Sequence, residues 1–229
     1  MMNRDSLRHD VATCCGLSEY LGLFDFSGHA SAKIEGEEAL LINSRDSIRS
    51  RIRPEDIIKV NLQGEPLEKG TQAPSEIYIH TSIYQRRPDV QAIAHLHSPA
   101  VIALSITGKK FLPVIGRGAL FAAGVPIYDD TRIVTSPDSG LCLAETLGDR
   151  RAVILYGHGS VVVAESVKAL FAYALILENN ARNQLAACQV GAQPRLLREE
   201  EIKEENLLYG QRLFEKIWDY YVHKADLKF

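Results

Sequence analysis

Residues 92–98 read Ala-Ile-Ala-His-Leu-His-Ser, an apolar and β-prone run that carries two histidines two positions apart. Successive side chains of a strand point to opposite faces, so His95 and His97 share one face and Leu96 takes the other. Pro99 cannot continue a regular strand, which predicts that the pair lies near the strand end. Two imidazoles projected from one rigid strand can supply two ligands of a metal site. The alternative is a half-buried strand with two hydrogen-bonded histidines.

A third histidine follows a second predicted strand. Residues 151–156 read Arg-Ala-Val-Ile-Leu-Tyr and lead into Gly157-His158-Gly159. Glycine readily adopts positive φ, so the chain can turn tightly here and present the imidazole at the strand end. Three histidines at two strand ends suit a catalytic metal site that keeps an open position for water or substrate. An ordinary turn is the alternative for this segment alone.

A carboxylate precedes the first histidine pair. Glu76 follows Ser75 and leads into residues 77–86, a predicted helix that stops before Pro88. Taken alone, Glu76 is an acidic residue that favours the helix dipole, with Ser75 as the cap. The order of Ser-Glu, helix, strand and His-x-His is far more specific than any one of these parts.

Together these pieces resemble the class II aldolase/adducin family, and the resemblance runs from about Leu7 to the C-terminal helix. The matching segments are Phe-Ser-Gly-His-Ala-Ser at 26–31, Arg-Pro-Glu-Asp-Ile-Ile at 53–58, Pro-Ser-Glu at 74–76, His-Leu-His-Ser at 95–98 and Gly-His-Gly at 157–159. The Leu-Glu-x-Asn-Ala-Arg pattern ending at Arg182 resembles the decarboxylase-like branch of the family more than its sugar-phosphate aldolases.

The resemblance implies roles for the matched residues. It implies that His95, His97 and His158 bind a divalent metal, usually zinc or manganese, with iron or cobalt possible. It implies that Glu76 is an acid/base group or a further ligand. Tyr128 falls near the position where some aldolases carry a proton-donating tyrosine.

The resemblance also implies the architecture. We expect residues 1–229 to form a single three-layer α/β/α domain around a central, mainly antiparallel sheet. The expected assembly is a homotetramer with active sites at subunit interfaces.

Three loops depart from the sugar-phosphate members. Ser-Gly-His at 27–29 replaces Ser-Gly-Asn, Ile-Asn-Ser-Arg at 42–45 replaces Thr-Pro-Ser-Gly, and Pro-Ser at 74–75 replaces paired serines. Each lost element cradles a phosphate, so we expect a carboxylate substrate, which arginine binds well. The predicted substrate-binding residues are Ser27, Gly28, His29, Asn43, Arg45, Ser75 and Arg117.

The arginines keep alternative interpretations. Arg45 can equally be a solvated loop charge, and Arg117, although flanked by glycines, can be a structural loop charge. Arg49, Arg51 and Arg53 are expected at the surface.

The predicted activity is that of a metal-dependent carbon–carbon lyase. Both decarboxylation and retro-aldol cleavage leave charge on an enolate oxygen, which a divalent metal stabilises as a Lewis acid. The changed loops favour a decarboxylase of a hydroxy-substituted aromatic or heteroaromatic acid. The alternatives are an aldolase, a metal-free interaction module like the head domain of adducin, and a non-haem iron oxygenase.

Composition excludes several other classes. The 229 residues are 46% hydrophobic, enough for one sizeable core, and the net charge of −3 gives no electrostatic case for nucleic acid or an anionic membrane. The polar start predicts neither a signal peptide nor a membrane span. Four cysteines without metal spacing indicate reduced, buried thiols in a cytoplasmic protein.

Predicted secondary structure completes the analysis. Hydrophobic periodicity and turn residues predict helices at 5–23, 77–86, 98–106 and from the Thr135–Gly140 turn to Leu147, a long helix from about 165, and a final helix at 199–221. Strands are predicted at 30–34 and 39–43 and around the three histidines.

Overall fold

A seven-stranded sheet runs through the part of the chain that the computed structural model describes, residues 4–227. Its strands are β1 (His29–Lys33), β2 (Ala39–Asn43), β3 (Ile57–Asn61), β4 (Ala92–Leu96), β5 (Ile127–Tyr128), β6 (Ala152–Leu155) and β7 (Gly159–Ala164). The predicted single domain and polar start include residues 1–3 and 228–229, which lie outside the described residues.

Seven α-helices surround the sheet in this part of the chain. They are α1 (Arg4–Tyr20), α2 (Ile77–Arg86), α3 (Pro99–Ser105), α4 (Pro137–Leu147), α5 (Val167–Gln189), α6 (Glu199–Leu208) and α7 (Gln211–Ala225). Short 3₁₀ helices lie at Arg49–Arg51, Pro54–Asp56 and Gly116–Phe121.

The strands follow the spatial order β3-β2-β1-β4-β7-β6-β5, which places β4 at the centre. Neighbouring strands pair antiparallel, and β5 with β6 is the parallel exception. The predicted mainly antiparallel central sheet is confirmed.

Two apolar clusters divide the helices into layers. The α1, α3, α5 and α7 helices pack on one face, against small residues such as Ala30, Ala32, Ala92 and Ala94. The α2 and α4 helices pack on the other face, against residues such as Ile42, Ile93 and Val161. Because side chains alternate along β1, its alanines face α5 while His29 and Ser31 face α2. The predicted three-layer α/β/α architecture is confirmed.

Two expectations are wrong in this region. The predicted helix 199–221 is two helices, because Gly210 adopts extended backbone (φ −161°, ψ −179°) and begins α7. Glycine is a poor helix former, and an extended residue cannot continue the helical hydrogen-bond ladder. Of the four free thiols, Cys142 is exposed and Cys188 is half-buried, so only Cys14 and Cys15 match the expected burial.

None of the helices within residues 4–227 is both long enough and apolar enough for a membrane crossing.

Candidate metal centre

The first two histidines meet at the end of β4. His95 is the fourth residue of the strand, and His97 lies just beyond it, where its backbone N–H donates to the carbonyl of Leu23. Their Nε2 atoms are 3.1 Å apart. The alternation along the strand therefore brings both imidazoles to one point, as expected from the sequence.

His158 joins them from the turn between β6 and β7. Gly157 has φ +63°, and the N–H of His158 donates to the carbonyl of Leu155, so the chain reverses within a few residues. The ring centroid of His158 lies 4.9 Å from that of His95 and 5.3 Å from that of His97. One ligand-type nitrogen from each of the three histidines lies within 4.8 Å of the other two.

Two of the rings are oriented by acceptors at Nδ1. His95 Nδ1 lies 3.2 Å from the carbonyl oxygen of Ser160, and His97 Nδ1 lies 2.7 Å from Asp25 Oδ1. A neutral imidazole that donates from Nδ1 carries its lone pair on Nε2. Sequence analysis did not identify Asp25, which lies 72 residues from His97; its nearness to the Ser27-Gly28 segment was the available signal.

Glu76 completes the cluster from the N-terminus of α2. It occupies the N-cap position rather than the first turn, and no side chain caps this helix, so Ser75 is not the cap. Its Oε1 accepts a hydrogen bond of 2.9 Å from the N–H of Val134. Its Oε2 lies 3.4 Å from His95 Nε2 and 3.7 Å from His158 Nε2.

Protonation states follow from burial and neighbouring charge. Burial works to raise the pKa of Glu76, but the adjacent imidazole of His95 and the N–H of Val134 outweigh it and lower that pKa to about 2. Burial lowers the pKa values of His97 and His158. At neutral pH His97 and His158 are therefore neutral and Glu76 is a carboxylate.

This donor set fits a divalent cation. Lone pairs on the Nε2 atoms of His95 and His97 converge at 3.1 Å, an arrangement that is repulsive unless a cation lies between them. Ligands about 2.1 Å from a tetrahedral ion are about 3.4 Å apart, close to the separations in this cluster. His158 Nδ1 is buried and has no hydrogen-bond partner among residues 4–227. Neutral imidazoles with a carboxylate are suitable ligands for zinc, manganese, iron or cobalt.

The predicted substrate residues near the histidines are Ser27, Gly28 and His29. Ser27 Oγ lies 3.3 Å from His97 Nδ1 and donates to Asp25 Oδ1 at 2.9 Å. The carbonyl of Gly28 accepts a hydrogen bond of 2.7 Å from Nε of Arg49, which is buried. His29 offers a ring nitrogen within 4.8 Å of ligand atoms of Glu76 and His95.

The other predicted substrate residues lie in different surroundings. Asn43 is fully buried, and its Oδ1 accepts from the N–H of Ala30 at 2.9 Å, so it ties β2 to β1. Arg45 and Ser75 are exposed. Arg117 is exposed on the 3₁₀ helix that packs against α6, and Tyr128 packs beside the apolar cluster of α2 and α4.

The expectation that Arg49 lies at the surface is wrong. Its side chain is buried and donates through Nε to the carbonyl of Gly28 at 2.7 Å and through Nη1 to Ser44 and Ser47. The loops before β1 and after β2 fold around the guanidinium and supply carbonyl acceptors. The charge of Arg49 lies beside the histidine cluster. Burial and the neighbouring histidines are the main causes of the lowered pKa of His29, and the charge of Arg49 lowers it further.

His80 is a further residue that sequence analysis missed. It lies on α2, is fully buried, and its Nε2 is 2.7 Å from His29 Nδ1. Burial lowers its pKa to about 3, and burial likewise lowers that of His29, so both rings are neutral at pH 7. A lone histidine inside a helical pattern gave no signal in the sequence.

The fold and the histidine–glutamate cluster define a class of protein. The family model described as Class II Aldolase and Adducin N-terminal domain matches residues 9–185, which is most of the chain. The chain belongs to this family, and the predicted resemblance is confirmed.

Three relatives indicate the range of the family. A 3,4-dihydroxyphthalate decarboxylase from Rhodococcus jostii is 33% identical over 195 residues, covering 79% of this chain and 80% of that protein. One from Arthrobacter keyseri is 30% identical over 225 residues, covering 92% and 90%. Alpha-adducin from Rattus norvegicus is 29% identical over 189 residues, covering 77% of this chain and 25% of that protein. The decarboxylase relatives support a lyase of the class II aldolase family.

A solved structure gives the same fold. The aldolase II superfamily protein from Pseudomonas syringae superposes with a TM-score of 0.85 over 99% of this chain and 94% of that chain, at 23% sequence identity. At this identity the likeness concerns the architecture.

Proposed function

We propose that this protein is a divalent-metal-dependent decarboxylase of a hydroxy-substituted aromatic carboxylic acid, of the kind represented by 3,4-dihydroxyphthalate. The observation that carries the proposal is the convergence of imidazole lone pairs from His95 and His97 beside His158 and the carboxylate of Glu76. The similarity to the 3,4-dihydroxyphthalate decarboxylases described above supports this substrate class.

His95, His97 and His158 would hold the metal, which supplies a Lewis acid for the oxygen that gains charge as the carbon–carbon bond breaks. Asp25 holds the ring of His97 in place, and the carbonyl of Ser160 holds that of His95. Fixing the rings before substrate arrives avoids reorganisation during the reaction.

Glu76 is the proton-transfer group in this proposal. Its Oε1 is fixed by Val134, so Oε2 is the oxygen that faces the histidines and the substrate. Oε2 accepts the proton of the substrate hydroxyl and returns it to the ring carbon as the carboxylate leaves. CO₂ departs, the electrons of the broken C–C bond form the new C–H bond with that proton, and the hydroxyl oxygen, left as a phenolate, takes a proton from water to complete the product.

Arg49 is the cation that we assign to a second substrate carboxylate. It lies beside Gly28 and His29, its charge is buried, and Nη2 takes part in none of the hydrogen bonds recorded among residues 4–227. Conservative replacement by lysine (Arg49→Lys) should raise KM more than it lowers kcat, because a binding charge is displaced. Arg51→Lys, at an exposed arginine, is the matched control, and an equal effect there would remove this assignment.

The test of the proposed function is CO₂ release by purified protein reloaded with Zn²⁺ or Mn²⁺. We expect release from 3,4-dihydroxyphthalate with formation of the dihydroxybenzoate, and its loss after His97→Ala. The Glu76→Gln variant should keep its metal yet lose about 10²-fold or more in kcat, as expected for a proton-transfer group. Loss of metal in Glu76→Gln would identify Glu76 as a ligand instead.

Other outcomes select the alternatives. Aldehyde release from L-fuculose 1-phosphate or another aldol substrate, without CO₂ release, would favour an aldolase. Stoichiometric iron with oxygen consumption would favour an oxygenase. Protein that takes up no metal would favour an interaction module of the adducin type.

We also propose that copies of this chain assemble around the site as a homotetramer. Three apolar side chains are exposed in segments that adjoin residues of the site: Phe26 beside Ser27, Ile106 near Gly157, and Ile133 before Val134. Such exposed apolar side chains favour contact with another surface. Sedimentation analysis of the wild type should give four chains, and Phe26→Ser should dissociate them; a monomeric wild type would contradict the proposal.

A further inference from the structure

A line of buried hydrogen bonds between α2 and β1 leads to the candidate metal centre. Tyr84 Oη lies 2.9 Å from Ser31 Oγ, which lies 2.6 Å from His80 Nδ1. His80 Nε2 lies 2.7 Å from His29 Nδ1. All four side chains are at most 2% exposed.

The backbone places these groups without distortion. His29 and Ser31 are two apart on β1 and share the face toward α2. His80 and Tyr84 are four apart on α2 and share its face toward the sheet. A polar line thus crosses an otherwise apolar layer, and each of its members depends on the next for a hydrogen-bond partner.

The hydrogen bonds of this line can run in two directions. The two differ in which donor is left without an acceptor. If Tyr84 donates to Ser31, Ser31 donates to His80 Nδ1 and His80 Nε2–H donates to His29 Nδ1, every hydrogen within the line has an acceptor, and the remaining donor is His29 Nε2–H at the end toward the metal centre. In the reverse direction His29 Nδ1–H and His80 Nδ1–H are the donors, and one hydroxyl hydrogen is left without an acceptor. Among the described residues the hydrogen-bond partner of Tyr84 Oη is Ser31 Oγ. The reverse direction therefore leaves the buried Tyr84 hydroxyl as a donor without an acceptor, which is costly.

The favoured direction fixes the tautomer of His29. Its Nδ1 is then an acceptor, so the ring proton is on Nε2. Among residues 4–227 Nε2 has no hydrogen-bond partner and it is not completely enclosed, although the side chain as a whole is 2% exposed. The ring lies beside His95, with centroids 5.1 Å apart, and near the carboxylate of Glu76.

We propose that His29 is a neutral hydrogen-bond donor to a substrate oxygen in the site, and that His80 and Ser31 are positioning residues that fix its Nε2–H tautomer. The proposal rests on the proposed function for the identity of the substrate. A donor held in advance toward an oxygen that gains negative charge stabilises the transition state more than the ground state. A protonated Nε2 cannot ligate a metal, so this assignment separates His29 from the ligand set.

The tautomers can be measured without any activity. In protein labelled with ¹⁵N-histidine and loaded with diamagnetic Zn²⁺, two-bond ¹⁵N–¹H correlation spectra at pH 7 distinguish the two neutral tautomers. We expect His29 and His80 both to be protonated at Nε2, with assignment from the His29→Asn and His80→Gln variants. Protonation of either ring at Nδ1 would overturn the proposal, whatever the enzyme's substrate.

Kinetic variants test the donor itself. His29→Leu should lower kcat on the decarboxylation substrate by about 10²-fold with Zn²⁺ content unchanged, and His29→Asn should recover part of the loss through its amide N–H. Equal kcat in the wild type and His29→Leu would overturn the assignment. If the wild type does not decarboxylate, the proposed function fails, and the tautomer spectra still decide the present inference.

The positioning role has its own matched pairs. His80→Leu removes the donor to His29, while His80→Gln keeps an amide N–H that can take its place, so Gln should retain more kcat at similar melting temperature. Ser31→Ala removes the hydroxyl that faces His80 Nδ1 and should add the Nδ1–H form to the His29 spectrum, as should His80→Leu. Tyr84→Phe should leave the Nε2–H form in place, because the Ser31 hydroxyl would then be the donor without an acceptor in the reverse direction. Unchanged His29 spectra in both His80→Leu and Ser31→Ala would show that these residues only fill space.

Discussion

Asp25 gives the sharpest test of how the metal ligands are held. Its Oδ1 lies 2.7 Å from His97 Nδ1, the distance of a charge-assisted hydrogen bond. Without this acceptor the imidazole can rotate, and its proton can move to Nε2 and block the lone pair that would bind the metal. Asp25→Ala should therefore weaken metal binding while leaving every ligand in the chain.

The expected magnitude follows from exposure. Loss of a carboxylate that orients a metal-bound histidine weakens binding by about 10- to 100-fold. The Asp25 side chain is 45% exposed, so solvent screens part of its charge and the lower end applies. We expect about a tenfold rise in Kd for Asp25→Ala, or about 1.4 kcal/mol. Asp25→Asn should fall between Asp25→Ala and the wild type, because its amide oxygen can still accept.

The assay is competition for Zn²⁺ against a chromophoric chelator at pH 7 and fixed ionic strength. Asp89→Asn is the matched control, since it removes an exposed carboxylate paired with Arg87. Zinc affinity of Asp25→Ala within twofold of the wild type, beside clear loss in His97→Ala, would refute the reasoning.

Three further predictions concern stability. Gly159→Ala should lower the melting temperature by about 5 °C and weaken Zn²⁺ binding, because the added Cβ clashes with a carbonyl of β4; calorimetry showing no change would contradict this. Glu178→Ala should lower the free energy of unfolding by about 2–4 kcal/mol, because the buried carboxylate accepts hydrogen bonds from two backbone N–H groups at the start of α3. Urea titration measures this loss, and Glu145→Ala, at an exposed glutamate, should change the free energy of unfolding little. In metal-free protein, Asp25 and Glu76 have pKa values near 2, below their unfolded values, so their stabilisation is complete above about pH 4.5 and is lost as pH falls toward 2. Urea titrations from pH 5 to 2.5 should show this fall, and the fall should be smaller in Glu76→Gln; an identical fall would rule out the Glu76 contribution.

The sequence predicted those parts of the site that a local pattern encodes. Strand alternation brings His95 and His97 together, and Gly157 permits the turn that presents His158. Pro88 and the helical periodicity gave the bounds of α2 correctly. These features depend on a few neighbouring residues, so physical rules for strands, turns and helices were sufficient.

The missed residues act across the chain. Asp25 meets His97 over 72 positions, and His80 meets His29 over 51. The burial of Arg49 depends on how two loops close around it, which its own neighbours do not encode. The break at Gly210 had a local signal, since glycine disfavours helix, but the amphipathic pattern on both sides concealed it.

The central position of β4 has a consequence for how the protein releases a bound ion. Strands in the middle of a sheet open only when the molecule unfolds globally, so amide protons of β4 around His95 should exchange with solvent more slowly than almost any others. His97 and Asp25 lie outside the strands and can open by local fluctuation. Ion release would then be stepwise, with the His97 ligand detaching first while His95 keeps its hold.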